Sequence, residues 1–257
     1  MSLLEKIKNL AKQNQAVNVA TRRYLHAHPE LSYQEFETSK YVQAQLKAIG
    51  IPFTVIATTG VLGIIEGKNP TKRVIALRAD MDALPILEEN NIDYKSTKDG
   101  VMHACGHDSH VAILMGTAEI LASMKSELKG TVKFIFQPAE EGVYNDKGEM
   151  VLSGAELMVK EGVLENPKVD VIFGLHIAAG SDNGVIEYKP GATMAAVDQL
   201  DIKVNGKQAH GASPWTGIDP IVISSQIVMG LQTIVSRSVN ITEDPAIVTV
   251  GAIHSGI

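Results

Sequence analysis

The sequence predicts an α/β fold, a layered and mostly parallel sheet flanked by helices, followed by a smaller α+β domain. Two observations carry that expectation. Over residues 1–189, short apolar runs of strand length alternate with segments whose apolar residues recur at helical spacing. From about residue 190 the texture changes to half-polar strands around a single helix, which places a second domain at 190–257.

The elements follow in order. Leu3 to Leu25 reads as a helix that ends before the His28-Pro29 break. Ser32 to Ile49 reads as a second helix, stopped by Gly50 and Pro52. Val61 to Glu66 is a short strand and Arg73 to Ala79 a stronger one. His107 to Met124 carries Val111, Leu114, Ala118, Leu121 and Ala122 at helical intervals, with Asp108 and Ser109 as candidate caps. Thr131 to Gln137 is a strand ending at Pro138, Ala155 to Glu161 a helix before Gly162, and Val169 to Leu175 a buried-type strand. In the second domain, Leu200, Ile202 and Val204 alternate with polar residues. Asp219-Pro220 opens a helix, and Ala246 to Ile253 reads as a further strand.

Composition narrows the function classes. The 257 residues are 45% hydrophobic and carry a net charge of −6, so the chain can bury a core and is not disordered. The acidic balance argues against a nucleic-acid surface or a polybasic membrane patch. Met1 to Gln15 lacks the apolar core of a signal peptide, and Ile218 to Val235 is interrupted by polar residues, so no membrane span is expected. One cysteine excludes a disulfide framework and fits a reducing, cytoplasmic setting.

Three predicted strands end in ionisable residues. Arg73–Ala79 leads into Asp80 and Asp82, Thr131–Gln137 leads through Pro138-Ala139 into Glu140 and Glu141, and Val169–Leu175 leads into His176. Carboxyl ends of strands line the functional crevice of open α/β sheets. His103, Cys105, His107, Asp108 and His110 add metal-capable side chains just before a helix. Each feature has an ordinary alternative. Paired glutamates usually mark a solvated turn, a lone cysteine is usually a small hydrophobe, and His176 could be a satisfied core histidine. Together they make a coherent hydrolytic metal site, because thiolate and imidazole suit zinc and carboxylate also accepts manganese. One glutamate can bind metal while its neighbour deprotonates water, provided the backbone turns between them. A weaker alternative makes Cys105 a nucleophile paired with His107, which leaves the glutamates without a role.

Six segments occur in order: LHAHPELSYQEFET (Leu25–Thr38), LRADMDALPI (Leu77–Ile86), MHACGHDSHVA (Met102–Ala112), FQPAEEG (Phe136–Gly142), GLH (Gly174–His176) and AHGASPWTGIDPI (Ala209–Ile221). They resemble the aminoacylase and carboxypeptidase clan of dinuclear metallopeptidases. Within it they resemble the amidohydrolase branch of indole-3-acetyl-amino-acid hydrolases, hippurate hydrolases and N-acetyl-diaminopimelate deacetylases. The resemblance implies two divalent metal ions, zinc or manganese, held by Cys105, His107, Glu141 and His176, with Cys105 bridging. It implies Glu140 as the carboxylate that activates water and passes its proton to the leaving amine, and Asp82 as an acid orienting the site. His210 would be the lid histidine that steadies the oxyanion in a partner's active site, and residues 190–257 a lid through which a homodimer forms. His26, His28, His103 and His110 match the motifs without a ligand role, and His254 reads as an ordinary strand residue. The implied substrate is a small N-acyl amino acid. Members of the clan continue well past the equivalent of Ile257, adding one more ligand histidine. The lid is therefore expected to be incomplete here, and the alternative to an enzyme is a fragment that binds metal or ligand without turnover.

Overall fold

The computed structural model describes residues 2–144, 150–151, 153–191, 193–243 and 245–255. It divides into two compact units, Met1–Asn183 and Gly184–Ile257.

The first unit opens with α1 (Leu3–Ala27), whose start is fixed by a capping box between Ser2 and Glu5. Then come α2 (Phe36–Ala48), β1 (Phe53–Ile56), β2 (Gly60–Glu66), β3 (Val74–Asp80), α3 (His107–Ser123) and β4 (Thr131–Gln137). Two-residue strands β5 (Val143–Tyr144) and β6 (Met150–Val151) pair with each other before α4 (Gly154–Lys160) and β7 (Val171–Gly174). The main sheet has the order β1-β2-β4-β3-β7. It is mixed, and the expectation of a mostly parallel sheet is corrected: β3 runs parallel to β4 and β7, whereas β2 runs antiparallel to both β1 and β4. A tight turn, Ala57 to Thr59, joins β1 directly to β2 and forces the antiparallel pair. The strand β1 is not expected from the sequence, because four residues with two exposed carry almost no periodic signal.

Side-chain alternation sends residues of one strand to two different cores. Val61 and Ile65 of β2 and Phe134 and Phe136 of β4 face Val42, Leu46, Val111, Leu114 and Met115 of the helices. Leu62 and Ile135 face the other way, against Met158 and Val163. Lys133 is fully buried at the centre of β4, and its ammonium donates to the carbonyl oxygens of Val163 and Glu165 at 3.0 and 2.6 Å.

The chain passes from β3 through α3 to β4, then returns through α4 to β7 on the other side of β3. The carboxyl ends of all three strands share one edge, with Asp80 opposite Gln137 and Arg78 opposite both Ile135 and Gly174. That edge is a topological switch point, where open α/β sheets place their ligands. The α3 cap differs from expectation. Gly106 is the N-cap at φ 91°, and Asp108 is drawn away into a buried ion pair.

In the second unit α5 (Pro220–Thr233) starts as predicted, with Asp219 Oδ1 accepting from the Ile221 and Val222 amides. The strands expected at Leu200–Asn205 and Ala246–Ile253 do not form ladders. Among the described residues of this unit, the only β-pairing is a single bridge between Lys207 and Ile218. An alternating segment becomes a strand only beside a partner, and here Leu200, Ile202, Ile247 and Ile253 stay exposed, with His254 beyond them in the same unpaired stretch. Among the described residues no helix is long and apolar enough to cross a membrane.

Candidate metal centre

Four segments converge at the carboxyl edge of β3 and β4. The first is the end of β3. Arg78 Nη1 donates to Asp80 Oδ2 at 2.6 Å, and His110 Nδ1 meets Asp80 Oδ1 at 2.6 Å. Burial alone raises the Asp80 pKa, but His110, Arg78 and His107 outweigh it and bring it down to about 2. Two residues on, Asp82 Oδ2 accepts from the Ser32 hydroxyl at 2.7 Å and from the Glu141 amide at 3.0 Å. Burial opposes the Asp82 charge, yet His107, Ser32 and Glu141 hold its pKa below the usual carboxylate value.

The second segment is the mouth of α3. The αL conformation of Gly106 separates Cys105 from His107, and a Cβ on it would lie 2.3 Å from Ile177 Cγ2. His107 Nδ1 lies 2.9 Å from the Asp82 carbonyl oxygen, which can only accept, so Nδ1 carries the proton. His107 Nε2 is buried and has no hydrogen-bond partner among the described residues. It faces Asp80 Oδ2 at 3.6 Å, Glu140 Oε2 at 3.7 Å and Glu141 Oε1 at 3.8 Å. Burial disfavours a protonated His107, but Asp82, Asp80 and Glu140 prevail and raise its pKa.

The third segment is the turn after β4. Pro138 ends the strand, and Ala139 takes φ 45°, a left-handed conformation that costs a residue with a Cβ on the order of 1–3 kcal/mol. Its amide donates to Glu35 Oε1 at 2.8 Å and its carbonyl accepts from Gly154 at 3.1 Å. Glycine is required at 154, since a Cβ there would fall 1.7 Å from the Pro138 carbonyl oxygen. This turn brings both Glu140 and Glu141 to His107, although neighbours in a strand point to opposite faces.

The fourth segment follows β7. His110 Nε2 accepts from the Ile177 amide at 2.9 Å, and the His176 ring lies 5.2 Å from the His110 ring.

Among the described residues, two sets of side chains bring ligand-type atoms within 4.8 Å of one another: Cys105, His107 and Glu141, and Asp80, His107 and His110. Hydrogen bonding separates them. Both His110 nitrogens are committed, to Asp80 and to Ile177, so the second set braces the first. In the first set the orphaned His107 Nε2 fits a cation. Donors about 2.0–2.3 Å from a shared ion stand roughly 3–4 Å apart, as the oxygens around Nε2 do. Burial, then Glu141, Glu140 and Asp80, push the Cys105 thiol up to about 12. That is the reverse of an activated thiolate, so the nucleophile alternative loses its chemistry. A cation reverses the sign of this field.

His176 belongs to neither set. His210 lies in the second unit, exposed, in the loop that the Lys207–Ile218 bridge closes, and its Nδ1 accepts from the Ala212 amide at 3.1 Å. A cleft of about 470 Å³ opens beside Cys105, lined among others by Arg22, Tyr94, Met102, His103 and Ile177. A hollow of about 510 Å³ between Glu66, Lys68 and Lys125 sits at the opposite strand ends, away from these groups.

His26, expected to have no ligand role, is buried among charged partners. His26 bridges Asp108 Oδ2 at 2.7 Å and Glu88 Oε1 at 3.1 Å, and Arg22 Nε reaches Asp108 at 3.0 Å. Asp108→Ala removes one of the two partners of the buried His26 imidazole and the carboxylate that Arg22 Nε reaches. We expect a loss of about 3 kcal/mol, seen as a lower urea midpoint at unchanged slope.

The sequence profile of Peptidase family M20/M25/M40 matches residues 76–253. The chain is 43% identical to thermostable carboxypeptidase 2 of Saccharolobus solfataricus, over 100% of this chain and 63% of that protein. It is 42% identical to an N-acyl-L-amino acid amidohydrolase of Geobacillus stearothermophilus, over 98% of this chain and 65% of the relative. It thus spans under two thirds of their length. Among solved structures, a dinuclear metal-binding M20 peptidase of Bacillus subtilis superposes with a TM-score of 0.57 at 45% identity, covering 64% of this chain and 44% of that one. With most of its length matched, and with thiol, imidazole and carboxylates gathered where β3 and β4 end, the chain belongs to the M20/M25/M40 family of peptidases.

Proposed function

We propose that the chain belongs to an enzyme that hydrolyses the amide bond of small N-acyl amino acids at a pair of divalent cations, zinc or manganese. Cys105, His107, Glu141 and His176 would hold the cations, and Glu140 would be the general base. The observation that supports this best is the orphaned Nε2 of His107, which Cys105 and Glu141 approach as ligand-type donors while Glu140 reaches the same atom. The names of the relatives, a carboxypeptidase and an amidohydrolase, agree with amide hydrolysis.

Bound cations would polarise the scissile carbonyl and bring the pKa of water towards neutrality. The remaining work belongs to the chain. Glu140 accepts a proton from the attacking water as the oxygen–carbon bond forms, then delivers it to the amide nitrogen as the carbon–nitrogen bond breaks. A carboxylate and a free amino acid leave. Asp82 fixes the His107 tautomer through its carbonyl and the Glu141 backbone through its carboxylate. Acceptance by His210 Nδ1 leaves Nε2–H as the donor of the neutral ring, the group an oxyanion needs. The cleft beside Cys105 would take one end of the substrate. Residues 190–257 would act as a lid and homodimer contact in a cytoplasmic enzyme.

Dialysis against a chelator, followed by zinc or manganese, tests the reading on a panel of N-acetyl, N-benzoyl and indole-acetyl amino acids. Hydrolysis should fall at least about a hundredfold on stripping and return with metal. A rate indifferent to the chelator contradicts it.

A further inference from the structure

The segment Leu25–Thr38 matches a family motif, yet none of its residues enters the chemistry above. Its loop between α1 and α2 touches the candidate metal centre through two side chains. Ser32 reaches Asp82, and Glu35, at the N-cap of α2, runs inward until it is fully buried. Its two carboxylate oxygens are both used: Oε2 accepts from the Thr59 hydroxyl at 2.7 Å and Oε1 from the Ala139 amide at 2.8 Å. A carboxylate is not buried this way to serve a helix cap, because its side chain makes no capping hydrogen bond to α2.

Ala139 is the residue that needs holding. It sits left-handed at φ 45°, one position before Glu140, and non-glycine residues keep that conformation only where surroundings over-determine it. Asp82 anchors the amide of Glu141, and Gly154 anchors the carbonyl of Ala139. Nothing else among the described bonds fixes the amide on which the chain reverses.

We infer that Glu35 is a positioning residue for the reaction: by binding the Ala139 amide it locks the turn that aims Glu140 at His107. This rests on Glu140 being the base. Glu141, tied separately to Asp82, is less dependent on Glu35, so the effect falls on turnover more than on metal binding.

The test uses Glu35→Met, which removes both acceptors at similar length, Glu35→Gln, which keeps one, and Ala139→Gly in the methionine background. Amide exchange at Ala139 is read together with kcat and KM on the full chain. In Glu35→Met the Ala139 amide should lose its protection, and kcat should fall by about a hundredfold, with KM and metal content within about threefold of wild type. Glu35→Gln should keep protection and hold kcat within about threefold. Glycine at 139 takes φ 45° without strain and should recover at least about tenfold of the lost kcat. Persistent Ala139 protection in Glu35→Met, an unchanged kcat, or an equal loss in Glu35→Gln overturns the inference. Should the methionine chain fail to fold, Glu35→Gln still decides, because a large loss in that folded variant contradicts it. A wild type that hydrolyses no N-acyl amino acid defeats the functional reading alone, since Ala139 exchange is read without turnover.

Discussion

Glu140→Gln is expected to lower kcat/KM for an N-acyl amino acid by about 10³-fold while the metal content of the protein stays at the wild-type value. General acid–base catalysis by a positioned carboxylate contributes about 10²–10⁴-fold, and Glu140 serves twice in the proposed sequence. The amide removes the basic oxygen and keeps the shape. Glu140 is exposed and lies outside both ligand sets, whereas Glu141 stands within 4.8 Å of the Cys105 and His107 donors, so the substitution should spare binding. Elemental analysis beside a rate assay separates the two effects. Activity within about tenfold of wild type contradicts the role of Glu140. A parallel loss of metal makes it a ligand instead.

Cys105→Ser is expected to weaken divalent-metal binding by a hundredfold or more. Substitutions one shell further out typically cost about 10–100-fold in affinity, and a ligand should cost at least as much. The thiol, pushed up to about 12, releases its proton only to a cation strong enough to outweigh burial and the neighbouring carboxylates. A serine hydroxyl is a weaker acid than a thiol and a harder, poorer ligand for zinc-type ions. Competition titration with a metal-indicator dye measures the change, and equal affinity in both proteins removes Cys105 from the centre.

The carboxylate-bearing edge was legible because strands are. Arg73–Ala79 is rich in apolar residues and Thr131–Gln137 alternates, and a strand of known direction puts whatever follows it at a known end of a sheet. Asp80, Asp82, Glu140 and Glu141 therefore group together from the sequence alone. The props were not legible. Glu35 acts on Ala139 from 104 positions away, and Ser32 acts on Asp82 from 50, through single hydrogen bonds that leave no periodic trace. His110 looked like any other histidine of its cluster, and only its two committed nitrogens show that it braces Asp80 and the loop after β7. Alternation also misled at Leu200–Asn205 and Ala246–Ile253. It records which residues favour a half-buried strand and says nothing of whether a neighbour is there to pair with. Mixed pairing was hidden for a related reason, since β1 is too short to announce that the chain doubles back before β2.

The most direct measurement is the electronic spectrum of the protein loaded with cobalt in place of its native ion. A thiolate bound to cobalt gives a near-ultraviolet charge-transfer band that imidazole and carboxylate ligands do not. This band is expected in the wild type, with persistence in Glu140→Gln and loss in Cys105→Ser. A cobalt-loaded wild type without the band, or a Cys105→Ser protein that keeps it, contradicts a metal centre built on Cys105, His107 and Glu141.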